Sequence, residues 1–126
     1  MKTKKTILIV EDEKILRETI HLGLESEEFT VIEAKDGEEG LLISLREHPD
    51  LILLDLIMPK MNGMTMLKKL RSDDWGKIVP VIILTNLTSS DEQRNKDVVE
   101  LTPVYYFEKT LMGIGQIIEK INEVLS

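Results

Sequence analysis

Leu51, Ile52, Leu53 and Leu54 run without a polar break into Asp55, and Pro59, Asn62 and Gly63 close the stretch with turn chemistry. A short unbroken apolar run bounded in this way reads as a strand buried on both faces and ending on an acid. A strand with one solvated face would alternate polar and apolar residues instead. The chain must therefore supply a layer on each side of its sheet. Asp55 falls at the carboxyl tip of the strand, where open α/β sheets keep their chemistry. An Asp in that place can also serve the turn alone, by accepting from backbone N–H groups, so the rest of the chain has to decide.

The same kind of run recurs. Strands are predicted over 6–10, 29–34, 51–55, 78–84 and 104–107, with Glu33 a polar break in the second and Pro80 tolerable near the start of the fourth. Helical spacing fills the gaps. Lys14–Ser26 carries Ile15, Leu16, Ile20 and Leu24, and 38–47 carries Leu41, Leu42 and Leu45 before Pro49 stops it. Gly63–Arg71 offers Met64, Leu67 and Leu70 as its apolar face, and the loop from Ser72 to Gly76 follows. A polar helix is predicted over 91–101, anchored by Val98, Val99 and Leu101 alone, and the last helix, 115–125, continues a pattern of Leu111, Ile114, Ile118, Ile121 and Leu125. Five strands alternating with five helices imply an α/β, doubly wound, flavodoxin-like parallel sheet, covered on both faces, with strand order 2-1-3-4-5. With 126 residues and no linker or repeat, the whole chain, 1–126, reads as a single domain.

Composition removes several function classes. There is no cysteine, and His21 and His48 stand alone, so disulfides, thiolate sites and a zinc set are excluded. His21 reads as a solvated helix residue. A bound metal would be a hard, oxygen-liganded one. A net charge of −7 argues against direct nucleic-acid binding, which relies on basic patches. The apolar runs are too short to span a membrane or to form a signal peptide, which makes a cytoplasmic location the default.

In a parallel sheet every carboxyl end lies on one edge. The polar residues brought there are Glu11 and Asp12, Asp55, Thr85 and Lys109. Carboxylates gathered so closely raise one another's pKa unless a positive charge intervenes. An oxygen-only set of this kind selects Mg²⁺, which shares its coordination with water and phosphate oxygens. Phosphoryl transfer to Asp55 is the chemistry such a site suits. Asp12 and Glu11 would hold Mg²⁺, Glu11 through water if not directly, and Asp55 would both ligate it and attack phosphorus. Ile57 would add its backbone carbonyl to the metal. Thr85 and Lys109 would take two phosphoryl oxygens.

These residues resemble the receiver domain of two-component response regulators. The resemblance rests on Ile7-Leu8-Ile9-Val10-Glu11-Asp12, on Leu53-Leu54-Asp55-Leu56-Ile57-Met58-Pro59 with Asn62-Gly63, on Leu84-Thr85, and on Tyr105-Tyr106-Phe107-Glu108-Lys109. It covers essentially the whole chain. It implies that Asp55 accepts a phosphoryl group from a sensor histidine kinase or phosphotransfer protein. Thr85 and Tyr106 would then relay the change to a surface made by the helix of 91–101, the strand of 104–107 and the last helix, where a downstream protein target or a second copy could bind. Three positions depart from the family pattern. Thr110 stands after Lys109 where a proline is usual, Asn86 replaces a small residue and could modulate the phosphoryl lifetime, and Leu101-Thr102-Pro103-Val104 replaces a small-residue step. Two rival readings remain: a Mg²⁺-dependent phosphohydrolase acting on a diffusible substrate, and a docking module that is never phosphorylated. The first lacks the second Asp of haloacid dehalogenase-type enzymes, since Ile57 occupies that place.

Overall fold

In this computed structural model the described residues are 4–56, 58, 60–85, 104–108 and 113–126, with backbone alone for Thr85, Val104 and 106–108. The elements are β1 (Thr6–Val10), α1 (Lys14–Ser26), β2 (Thr30–Ala34), α2 (Gly37–Glu47), β3 (Leu51–Leu54), α3 (Gly63–Arg71), β4 (Val81–Thr85), β5 (Val104–Glu108) and α4 (Ile114–Leu125). All strand pairs are parallel and the order is β2-β1-β3-β4-β5. The chain leaves β1 for β2 on one side and returns to β3 on the other, so the order reverses between β1 and β3. That crevice is where a doubly wound sheet places its ligand.

The apolar runs predicted this layering because β1, β3 and β4 each feed both faces. Leu8, Val10, Ile52, Leu54, Val81 and Ile83 point to one side and meet Ile43, Met66, Leu67 and Leu70. Ile7, Ile9, Leu51, Leu53, Ile82 and Leu84 point to the other and meet Ile20, Leu24, Ile117 and Ile121. Each fully buried Leu or Ile side chain contributes about 1.5–3 kcal/mol.

Helix faces were harder to read. In α2 the buried residues are Gly37, Gly40, Ile43 and Ser44, while Leu42 and Leu45 are exposed. The leucines mislead because small residues bring this helix onto the sheet. A Cβ on Gly40 would lie 2.8 Å from both γ-methyls of Val10. In α3 Met66 joins Leu67 and Leu70 in the core, and Met64 packs against it partly buried. Ile15 of α1 faces outward, and Ile117, absent from the predicted apolar stripe, is buried in α4. The fourth strand begins at Val81 rather than Ile78, which is exposed. Pro80 has no N–H to donate, and contributes its carbonyl to Ile52 N at 3.1 Å. The predicted helix of 91–101 lies outside the described residues.

Side-chain caps fix the starts of α2 and α3. The Asp36 carboxylate accepts from Glu39 N at 2.8 Å, and the Asn62 side chain accepts from Thr65 N at 2.9 Å. Each such cap contributes about 1 kcal/mol. At the opposite pole Trp75 stacks on His48 with ring centroids 4.2 Å apart. Trp75 is the chain's single tryptophan, so its emission should stay constant during a Mg²⁺ titration; a large quench would place a cation beside that loop instead.

Candidate functional site

Two backbone bonds set the geometry of the acidic edge. Glu11 N donates to Ala34 O at 3.0 Å, carrying the β1–β2 ladder one residue beyond β1, and Asp55 N donates to Val10 O at 3.1 Å. The acids that follow β1 and β3 are thereby aligned side by side. Glu11 and Asp55 are buried and Asp12 is exposed at the mouth. Carboxylate oxygens of Glu11, Asp12 and Asp55 all lie within 4.8 Å of one another. Three like charges so close repel strongly, and a divalent cation with a preference for oxygen offsets that repulsion. The donor set fits Mg²⁺ on both counts.

The loop leaving Asp55 is held from two directions. Gly63 N donates to Leu56 O at 3.0 Å, and Gly37 N at the start of α2 donates to Met61 O at 3.2 Å. Lys60, with a left-handed φ of 61°, places its Nζ 3.7 Å from the buried Asp36 carboxylate. Thr85 ends β4 on the same edge, its backbone in register with Glu108, and Tyr106 pairs with Ile83. Ile57, Asn86, Lys109 and Thr110 lie outside the described residues, as do the side chains of Thr85 and Tyr106.

A network beside the acids was not foreseen from the sequence. Arg17 of α1 donates through Nη1 to the Glu11 carbonyl at 2.8 Å and through Nε to Glu33 Oε1 at 2.7 Å. The other Glu33 oxygen meets His21 Nδ1, and His21 Nε2 meets Glu25. His21 thus has two carboxylate partners where a solvated helix residue was expected. The signal was present as Arg17, His21 and Glu25 at four-residue spacing on one helix face, opposite the single acid within strand 29–34.

Partial burial pushes the Glu33 carboxyl up, but the hydrogen bonds and charges of Arg17 and His21 outweigh it and leave it below the ordinary 4.5. A carboxylate whose pKa is depressed on folding stabilises the native state above its unfolded pKa, and that contribution is lost as pH falls through the folded value. Glu33→Gln should therefore cost about 1 kcal/mol at neutral pH, the scale of a partly exposed ion pair. In denaturant titrations the difference between the two proteins should be full above pH 4.5, narrow as pH falls from there through the lower folded-state value, and close only once Glu33 is protonated in both states; a gap that persisted at that acid end would exclude an ionic origin.

Residues 7–122 match the response regulator receiver domain. Among curated relatives, a probable transcriptional regulator of Porphyridium aerugineum, ycf27, is 40% identical over 90 residues, covering 71% of this chain and 36% of the relative. The chain spans about a third of the length of such relatives. A CheY-like receiver domain protein from Methanospirillum hungatei superposes with a TM-score of 0.87 at 27% identity, covering 98% of this chain and 94% of that one. The CheX–CheY–BeF3–Mg²⁺ complex from Borrelia burgdorferi gives a TM-score of 0.83 at 27% identity, over 97% of this chain and 90% of the other. With the parallel sheet, the reversal point and the acid trio in place, the chain belongs to the response regulator receiver family, the phosphoacceptor signalling modules of two-component systems.

Proposed function

We propose that Asp55 is the phosphoacceptor and that Glu11, Asp12 and Asp55, with the carbonyl of Ile57, hold Mg²⁺ beside it. One observation carries this reading: three carboxylates from two adjacent strands share a space of 4.8 Å at the sheet's reversal point. An Asp55 oxygen attacks phosphorus, a P–O bond to Asp55 forms, and the bond to the donor's histidine nitrogen breaks. Mg²⁺ supplies neutralisation of the charge on the phosphoryl oxygens. Thr85 and Lys109 take up two of those oxygens, and Asn86 tunes how long the acyl phosphate survives. The Borrelia burgdorferi neighbour, a complex that includes Mg²⁺ and BeF3, supports a cation in this place.

The protein is a signalling module; its own catalysis would extend at most to hydrolysis of its acyl phosphate. A sensor histidine kinase or phosphotransfer protein is the proposed donor. Thr85 and Tyr106 would pass the change to a downstream protein target or to a second copy. The family match over 7–122 supports reading 1–126 as one receiver unit. Its charge of −7 supports a module that does not itself bind nucleic acid, whatever a longer regulator carries beside it. Among the described residues no helix is long and apolar enough to cross a membrane.

The test is incubation with acetyl phosphate and Mg²⁺ followed by intact mass. One added phosphoryl group is expected. Steady turnover without an adduct would indicate a phosphohydrolase, and no reaction a docking module.

A further inference from the structure

The network that runs from Glu11 through Arg17 to Glu33 has no part in phosphoryl transfer as described above, yet one end of it grips the backbone of the acid trio. We propose that Arg17 is a positioning residue for the cation site, a guanidinium neutralised by Glu33 that fixes the Glu11–Asp12 turn without opposing the cation's charge. This rests on the acid trio being a cation site.

Among the described residues, three hydrogen bonds tether Glu11. Its N–H donates to Ala34 O at 3.0 Å, its carboxylate accepts from Glu13 N at 3.1 Å, and its carbonyl accepts from Arg17 Nη1 at 2.8 Å. The Arg17 side chain is 15% exposed, so its fork is held by packing as well as by hydrogen bonds. A fork of this shape can bridge a carbonyl and a carboxylate simultaneously, which an ammonium cannot. A bare positive charge here would weaken cation binding. The Glu33 carboxylate, 2.7 Å from Arg17 Nε, cancels it, and it remains ionised at neutral pH because its partners hold its pKa below 4.5. Residues that orient metal ligands in this manner commonly change affinity by about 10–100-fold when lost.

Mn²⁺ is a suitable probe, because it shares the oxygen preference of Mg²⁺ and its free fraction is read directly by electron spin resonance, independently of phosphorylation. Arg17→Ala should weaken Mn²⁺ binding about tenfold at every salt concentration, and Arg17→Lys should not restore it. Glu33→Gln should weaken binding as well, but with a loss that shrinks as salt rises, because an uncancelled guanidinium is screened. Wild-type affinity in Arg17→Ala would overturn the proposal while leaving the cation site intact. So would an equal loss in Val79→Ala, a core substitution far from the acids that tests for general destabilisation. If Asp12→Asn left Mn²⁺ binding unchanged, the cation-site reading itself would fall, and the positioning role with it.

Discussion

Asp55→Asn should take up no phosphoryl group from acetyl phosphate, and Mg²⁺ should no longer raise its melting temperature. The amide has nearly the shape of the carboxylate, so the buried site keeps its packing. What changes is that the side chain loses the negative oxygen needed to attack phosphorus and one of the three charges within 4.8 Å that favour a divalent cation. In the wild-type protein, Mg²⁺ at about ten times its Kd stabilises the fold by about 1.4 kcal/mol through mass action. That corresponds to a shift of about 5 °C for a domain of this size. The variant's curves with and without Mg²⁺ should superimpose. Stoichiometric labelling of the Asp55→Asn variant would move the acceptor elsewhere.

Gly63→Ala should be among the most damaging single-methyl additions near the site. A Cβ at Gly63 would lie 2.3 Å from the Asp55 carbonyl oxygen and 2.7 Å from the Leu56 Cα. Both obstacles are backbone, so neither can rotate aside, unlike the flexible end of a side chain. The conformation is not the difficulty, since no glycine in the described residues has positive φ. The expected loss is about 3 kcal/mol, at the upper end for overpacking, measured by urea titration. It should be accompanied by impaired phosphorylation, because the displaced atoms belong to the proposed acceptor, Asp55, and its neighbour. Stability within about 0.5 kcal/mol of the wild type, the scale of a surface substitution, would mean that the loop yields freely.

The sheet was legible because its central strands β1, β3 and β4 are buried on both sides and so announce themselves as unbroken apolar runs. Ile7 to Val10 and Leu51 to Leu54 could hardly have been read otherwise. Helix faces were less so. In α2 the sequence advertises Leu41, Leu42 and Leu45, of which Leu41 alone packs against the core, while close approach to the sheet is set by Gly40, whose contribution is the absence of bulk and leaves no hydrophobic signal. The Glu11, Asp12 and Asp55 grouping followed from strand topology alone, since parallel strands bring their carboxyl ends together. The spacing of Arg17, His21 and Glu25 marks one polar helix face, but which strand that face meets, and so its pairing with Glu33, depends on packing that spacing within one element does not report.

The sheet also acts as a septum. Ile43, Met66, Leu67 and Leu70 fill one compartment, Ile20, Leu24, Ile117 and Ile121 the other, and among the described residues no side chain is shared between them. Each compartment can drift through its own series of compensating substitutions while the other stands still. Neighbours only 27% identical can accordingly keep the same architecture. The acids of the edge belong to neither compartment, so descent can refurnish both rooms and leave the threshold where it was.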